Sequence, residues 1–314
     1  MIIIKKIDEL KSIYYEEKVQ ITIGNFDSVH LGHREFLSRI NNDCKKTKSK
    51  FLVITFVPHP IQILKAQTGF LINTFLERRE LLASCGVDYL LEIDFTRDFS
   101  TLTPEDFLEK FVFSFSVIDK IYLGHDFVFG ANKSGDYQFA KKICEKKKIE
   151  LVLQDEFKLE NHAVSSSAVR EFVFKGDMER ANSLLGRSYF LSGRVIRGQG
   201  RGKQIGFPTA NIEYDKELIK PSVGVYVTQT LIHDMTYNSV TNVGINPTFN
   251  LGQSVNIETH LLDFDRDIYG EGLRVCFLKK IRDEKKFSSV NDLVYQIEND
   301  VKTTKDYFKS ILVG

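Results

Sequence analysis

Val19-Gln20-Ile21-Thr22-Ile23-Gly24-Asn25-Phe26-Asp27-Ser28-Val29-His30-Leu31-Gly32-His33 runs from an apolar pentad into a turn bracketed by glycines, and a helical pattern follows over residues 34–46. A strand, a glycine-rich turn and a helix in this order bring free backbone N–H groups and the positive end of a helix dipole to one place, which suits a phosphate. His30 and His33 lie in that mouth, where imidazoles can donate hydrogen bonds to a phosphate whose charge grows in a transition state. Two other readings stay open here. Both histidines could be ordinary loop residues, or the HxxH pair could bind zinc, for which no third or fourth ligand stands at a familiar spacing.

Outward from this stretch, two hydrophobic periods alternate. Apolar runs at 51–57, 87–93, 117–123 and 149–153 are separated by longer amphipathic segments at 75–84, 104–113 and 137–147. Such alternation predicts a parallel sheet with helices on both faces. Thr103 and Pro104 suit an N-cap and a first helical residue. The lysines of 141–148 read as a solvated helix face whose cations suit the C-terminal dipole. Helices over 165–175 and 178–185 end at Gly176 and Gly186. Beyond residue 186, short alternating segments at 191–196, 224–231, 256–262 and 273–281 predict an antiparallel sheet or small barrel. The chain closes on a helix opened by a Ser289/Asp292 capping box, with Val290, Leu293, Val294, Ile297 and Val301 on one apolar face. The fold class is therefore an α/β N-terminal domain, residues 1–186, followed by a small antiparallel β-barrel with a C-terminal helix, residues 187–314. A chain of 314 residues suits two such domains.

With 43 basic and 42 acidic side chains, the net charge of +1 excludes a polycationic nucleic-acid or membrane-surface binder on bulk charge. Hydrophobic content of 42% argues against disorder. Cys44, Cys85, Cys144 and Cys276 form no CxxC pair and read as reduced thiols of a cytoplasmic protein. Met1-Ile2-Ile3-Ile4-Lys5-Lys6 does not read as a secretory signal, and no apolar run is long enough to span a bilayer. Nothing in the sequence specifies an oligomeric state.

Two further stretches carry chemistry. Ser166 and Ser167 begin a helix, where hydroxyls and N–H groups suit a triphosphate, and Arg170 stands one turn on. Plain N-capping serines and a surface arginine would look the same locally. Gly198-Gln199-Gly200-Arg201-Gly202-Lys203-Gln204-Ile205-Gly206-Phe207-Pro208-Thr209-Ala210-Asn211 is not a Walker loop, since Gln204 follows Lys203 where Ser or Thr is needed. Nor is it a GxGxxG fingerprint, since Lys203 takes the place of the last glycine. It supports either a turn whose N–H groups hug phosphates or a plain loop.

Taken together, four motifs in order carry a resemblance that runs through essentially the whole chain. Residues 24–33 are similar to the HxGH signature of nucleotidyltransferases. Thr55-Phe56-Val57-Pro58-His59-Pro60, Gly124-His125-Asp126-Phe127-Val128-Phe129-Gly130 with Gly135-Asp136, and Val164-Ser165-Ser166-Ser167-Ala168-Val169-Arg170 resemble the TFxPHP, GxDFxFG…GD and SSTxIR segments of bacterial bifunctional riboflavin kinase/FMN adenylyltransferases (FAD synthetases). Residues 198–211 resemble the phosphate loop and PTAN motif of the kinase module, and residues 242–249 and Ile257-Glu258-Thr259-His260 also match.

The resemblance implies a Rossmann-like nucleotidyltransferase domain that joins FMN to AMP from ATP, and a barrel that phosphorylates riboflavin with MgATP. It implies that His30, His33 and Arg170 act in adenylyl transfer, with Gly24, Asn25, Phe26, Asp27, Gly32, Ser166 and Ser167 around the ATP. Phe56, His59, Asp126 and Phe129 would face the flavin, whose ring suits aromatic walls. In the barrel, Gly198, Lys203, Gly206 and Pro208 would hold ATP, Thr209 and Asn211 would hold Mg²⁺, and Glu258 would act on the ribityl 5′-hydroxyl. The partners implied are riboflavin, FMN, FAD and ATP, with no nucleic acid and no membrane.

Some positions depart from the family pattern: Ser28 for glycine, Val57 for an acid, Val128 for arginine, and Lys133 and Lys203 for arginines. A positive φ at Ser28 would cost about 1–2 kcal/mol. Alternatives to the bifunctional reading are a riboflavin kinase with an inactive first domain, a different HxGH adenylyltransferase, and a non-catalytic flavin-binding protein.

Overall fold

The computed structural model describes residues 1–6, 9, 17–114, 117–160, 162–198, 200–248 and 252–313. Two compact units emerge: residues 1–68 with 73–165, and residues 69–72 with 166–314. Gln199 and Phe249 of the quoted motifs lie outside the described residues.

The first unit runs β1 (Ile2–Ile4), β2 (Val19–Ile23), α1 (Leu31–Thr47), β3 (Lys50–Val57), α2 (Pro60–Lys65), α3 (Phe75–Ser84), β4 (Tyr89–Asp94), α4 (Pro104–Phe107), β5 (Ile118–Gly124), α5 (Tyr137–Lys147), β6 (Glu150–Gln154), β7 (Lys158–Leu159) and β8 (His162–Ala163). The main sheet has the order β1-β4-β3-β2-β5-β6 and every pairing in it is parallel. Central strand β2 is buried at all five positions, as helices on both faces require. Val19, Ile21 and Ile23 join one apolar core with Leu52, Ile54, Leu91, Ile121 and Leu123. Gln20, on the other face, is fully buried and satisfied, donating to Thr47 Oγ1 and Asp119 Oδ2 at 2.9 and 3.0 Å and accepting from Tyr122 Oη at 3.0 Å.

The helix expected over 104–113 is capped by Thr103, with Pro104 at its start. It is regular only to Phe107. Residues 108–112 then widen into an i→i+5 turn, with Phe113 N–H donating to the Leu108 carbonyl at 2.8 Å.

The second unit holds α6 (Ser166–Lys175), α7 (Met178–Leu185), β9 (Tyr189–Ile196), α8 (Arg201–Gln204), β10 (Ala210–Tyr214), β11 (Gly224–Ile232), β12 (Met235–Thr248), β13 (Gly252–Leu261), β14 (Gly272–Arg282) and α9 (Val290–Val313). Six of its strands close an antiparallel barrel in the order β10-β13-β12-β11-β14-β9, with β9 pairing back to β10. Thr228, Thr230, Ser239, Thr241 and Thr259 are fully buried and hydrogen-bond to one another, so part of the strand packing is a satisfied hydroxyl network. The texture change at residue 186 marks where helices give way to barrel strands. Helices α6 and α7 belong to the barrel's unit, and Asn182 of α7 bonds Phe277 of β14 and Tyr189 of β9 at 2.8 and 2.6 Å. Among the described residues no helix is long and apolar enough to cross a membrane.

The closing helix departs from its expected apolar face. Val290 is 62% exposed, while Leu293, Val294, Ile297 and Val301 are half-buried. Among its described side chains the buried ones are polar, Asp300 and Thr304. Arg282 of β14 donates from Nη2 to Asp300 Oδ2 at 2.7 Å and from Nε at 3.0 and 3.1 Å, and Gln296 adds a bond at 2.9 Å. This pair ties α9 to β14 of the barrel, while Ser289 caps the helix by accepting from Asp292 N–H at 3.1 Å.

Asp300→Ala leaves the Arg282 guanidinium, 15% exposed, without its partner, so barrel stability should fall by about 3–5 kcal/mol in urea unfolding of the full chain. A loss under about 1 kcal/mol would place the pair among solvent-screened surface bridges.

Candidate active sites

The first unit's sheet reverses its build direction at β2. Strands β3 and β4 lie on one side and β5 on the other, so the C-terminal ends of β2 and β5 flank a crevice of the kind that takes ligands. The glycine-bracketed loop leaves β2 there. Its carbonyls are tied from within: Asn25 O accepts from Thr55 Oγ1 at 3.2 Å and from Arg78 Nη1 at 3.0 Å, and Asp27 O accepts from Asn73 Nδ2 at 2.5 Å. Arg78 also reaches the Phe56 carbonyl at 3.3 Å and is 1% exposed. Burial pulls its pKa down, opposed by the charges of Asp27 and Glu92.

Backbone strain in this loop does not fall on Ser28, which lies outside the positive-φ region. It falls on Phe26 at φ 46° and Val29 at φ 42°. A β-branched residue there is an outlier that surrounding packing must enforce, and Val29 is fully buried. The substitution of glycine by Ser28 therefore carries no φ penalty.

His30 caps α1, its Nδ1 accepting from His33 N–H at 3.0 Å. An accepting Nδ1 places the proton of the neutral ring on Nε2. The His33 ring stacks on His30 with centroids 3.7 Å apart at 10°, and meets the Phe26 edge at 5.1 Å. Gly32 makes room for this: a Cβ there would sit 3.1 Å from Phe157 and 3.3 Å from the His30 ring. Burial, reinforced by neighbouring His30, holds the His33 pKa well below the ordinary imidazole value. Two buried polar atoms here, Asn25 Oδ1 of the loop and His33 Nδ1 of the first turn of α1, have no hydrogen-bond partner among the described residues. No group of three or more His, Cys, Asp or Glu that could hold a metal occurs among the described residues, so the zinc reading gains no further ligand.

The expected flavin-facing residues differ in their surroundings. His59 is the N-cap of α2, its Nδ1 accepting from Ile61 N–H at 3.2 Å. Asp126, after β5, is exposed. Phe56 and Phe129 are core residues, 7% and 6% exposed, packed with Phe107 at 6.2 and 5.6 Å. Half-buried Phe127 lies stacked on Phe129 at 5.6 Å.

Ser166, Ser167 and Arg170 belong to the second unit, in α6. Arg170 lies over the Phe70 ring at 3.6 Å and donates from Nε to the Phe70 carbonyl at 2.9 Å.

On the barrel, Asn211 of β10 pairs in register with Glu258 of β13. Asn256, two residues before Glu258 and so on the same strand face, donates from Nδ2 to Glu258 Oε1 at 2.6 Å and to Asn211 Oδ1 at 3.2 Å. His260, next along that face, bonds the Pro208 carbonyl through Nδ1 at 2.8 Å. The loop before β10 wraps closely: a Cβ on Gly198 would sit 2.1 Å from Asn211 Nδ2. Residues 201–204 form one helical turn between Gly200 at φ 70° and Gly206 at φ 87°, with Lys203 exposed. The hydroxyl of Thr209 and the amide oxygen of Asn211 are hard donors of the kind Mg²⁺ takes alongside water and phosphate, and Asn256 fixes which way the Asn211 oxygen points.

Sequence reading missed Asn73, Arg78, Asn256 and His260 as supports of these sites. Asn256 and His260 could have been found from strand periodicity around Glu258. Arg78 carried no such signal, because an arginine in an amphipathic helix pattern reads as exposed.

Replacing Gly198 by Ala should displace the Asn211 amide and lower the riboflavin phosphorylation that the resemblance implies for the barrel on the order of 10²-fold, with the implied adenylyl transfer unaltered. An unaltered rate of that phosphorylation in the variant would remove the loop from the site. For His33, whose folded pKa lies below the unfolded value of 6.5, the unfolded chain binds the proton first as pH drops. First-unit stability should be unaffected above that value and fall as pH goes below it. Proton NMR should find the ring neutral there; titration near 6.5 would contradict the burial argument.

Residues 13–168 match the family model described as FAD synthetase, and residues 185–308 match the one described as riboflavin kinase. A bifunctional riboflavin kinase/FMN adenylyltransferase of Escherichia coli (strain K12) is 34% identical over 295 residues, covering 93% of this chain and 94% of the relative. Its counterpart in Bacillus subtilis (strain 168) is 31% identical over 300 residues, covering 94% of each. A solved structure from Streptococcus pneumoniae, described as a macrolide-efflux protein, matches with a TM-score of 0.86 and 31% identity over 97% of this chain and 98% of that one. With both models matched in this order and relatives above 30% identity along nearly its whole length, the chain belongs to the bifunctional riboflavin kinase/FMN adenylyltransferase family.

Proposed function

We propose that residues 187–314 phosphorylate riboflavin to FMN with MgATP and that residues 1–186 join FMN to AMP from a second ATP. The observation that carries this reading is the meeting of Glu258, Asn256 and Asn211 on adjacent strands, with the glycine loop against Asn211.

In the first reaction, Glu258 takes the proton of the ribityl 5′-hydroxyl as that oxygen bonds to the γ-phosphorus of ATP. The bond from the γ-phosphorus to its bridging oxygen breaks, and ADP leaves. Thr209 and Asn211 would hold Mg²⁺, which when bound offsets the phosphate charge. Gly198, Lys203, Gly206 and Pro208 line the path of the ATP phosphates.

In the second reaction, a phosphate oxygen of FMN bonds to the α-phosphorus of ATP and pyrophosphate leaves. That nucleophile is already anionic, so the site needs hydrogen-bond donors and no strong base. His30 and His33 supply donors at the loop mouth, with Gly24, Asn25, Phe26, Asp27 and Gly32 presenting the backbone. Ser166, Ser167 and Arg170 serve the triphosphate. Asn25 Oδ1 and His33 Nδ1, buried without partners among the described residues, favour a polar ligand at this loop. His59 and Asp126 offer polar groups to the flavin, and Phe56 and Phe129, buried against Phe107, give that side an apolar backing. The free thiols suit the cytoplasm.

A chromatographic time course tests both halves, starting once from riboflavin and once from FMN, each with ATP and Mg²⁺. Glu258→Ala should cut FMN formation about 10²–10⁴-fold while FAD still forms from supplied FMN. His33→Ala should do the reverse, by on the order of 10²-fold. Full kinase activity without Glu258 would sink the assignment.

A further inference from the structure

Residues 69–72 stand in the first half of the sequence yet belong to the second unit. Their backbone is pinned there. Phe70 and Leu71 N–H groups both donate to the Glu217 carbonyl at 2.8 Å, and the Leu71 carbonyl accepts from Ile219 N–H at 2.8 Å. Leu71 bridges in parallel to Leu218, and both side chains are buried. A carbonyl and a ring at Phe70 are thus fixed by strand-like bonds on the next residue. Arg170 uses both. Its Nε donates to the Phe70 carbonyl at 2.9 Å, and its guanidinium carbon lies 3.6 Å from the ring centroid. An arginine side chain is otherwise among the most rotamer-rich, and ordering it only when ligand arrives would weaken binding and catalysis.

We propose that Phe70 is a positioning residue for adenylyl transfer, holding the Arg170 guanidinium by one edge and one face in the orientation that meets the ATP phosphates. This rests on Arg170 serving that reaction, as proposed above. The device is specific to an aromatic ring on a pinned backbone: the carbonyl sets where Nε points, and the ring sets the plane of the guanidinium.

The full chain tests this with both reactions measured side by side. Phe70→Leu keeps the carbonyl and the apolar bulk and removes the ring. It should lower kcat/KM for FAD formation from FMN about 3–30-fold, and Phe70→Tyr should restore it. FMN formation should be unchanged, although Phe70 sits in the unit that carries it. In an Arg170→Ala background, Phe70→Leu should add no further loss. Wild-type FAD formation in Phe70→Leu overturns the inference. So does an equal loss in both reactions, or a full additive loss on top of Arg170→Ala, since either marks Phe70 as packing alone. Wild-type FAD formation in Arg170→Ala overturns the inference together with the reading beneath it, and that single variant tells the two failures apart.

Discussion

A guanidinium sealed inside the first unit, that of Arg78, ties the loop after β2 to the end of β3 by bonding the carbonyls of Asn25 and Phe56. Burying this charge is costly, and the charges of Asp27 and Glu92 offset part of that cost. The result is a loop whose carbonyls at 25 and 27 are engaged from within, by Arg78, Thr55 and Asn73. With those negative ends neutralised inside the protein, the loop and the start of α1 can offer N–H groups to an anion. The left-handed backbone at Phe26 and Val29 is the other side of the same constraint. Strain of this kind persists only where neighbours over-determine it, and here they do so through hydrogen bonds to carbonyls one residue to either side of Phe26.

The barrel separates its structure from its chemistry by strand alternation. On β13, Ile257, Thr259 and Leu261 are buried, and Thr259 joins the hydroxyl network with Thr241. Asn256, Glu258 and His260 take the opposite face, and each bonds a group of β10 or the segment before it, directly or through Asn256. A single slip in register would exchange these two sets, so the satisfied hydroxyl network also fixes the position of Glu258. Asn211 and Glu258 meet because closure of the barrel makes β10 and β13 neighbours, although they are far apart in sequence.

What the sequence made legible follows from where the signal is local. The strand-turn-helix at 19–33 and the alternation at 257–261 are periodicities of single elements, and both appear in the fold as read. The hydroxyls of β12 hid that strand, because Ser239 and Thr241 look like solvent-facing residues until the barrel closes on them. The helix at residues 60–65 is too short to show a hydrophobic period, so His59 as its cap and Pro60 as its first residue emerge only from the structure. The aromatic residues Phe56 and Phe129 could face a flavin or a core on local grounds alone. Their neighbours Phe95, Phe99, Phe107 and Phe139 come from segments that only the tertiary fold assembles. Arg170 and Phe70 are the extreme case, since no local pattern links positions 100 residues apart.

On the proposed reading, the two sites differ because their nucleophiles do. A hydroxyl must lose a proton as it attacks, so the kinase site needs a carboxylate held at a fixed distance from the metal-binding oxygens, and Asn256 spans that distance with one amide. A phosphate monoester is already charged, and a carboxylate beside it would repel it. A neutral imidazole is the better group there, because it can donate without adding charge that must be desolvated. Burial and the stacked His30 both push His33 toward the neutral form. The cation is then supplied by arginine, which cannot lose its proton, and an aromatic ring is a partner that holds a guanidinium in place without neutralising it.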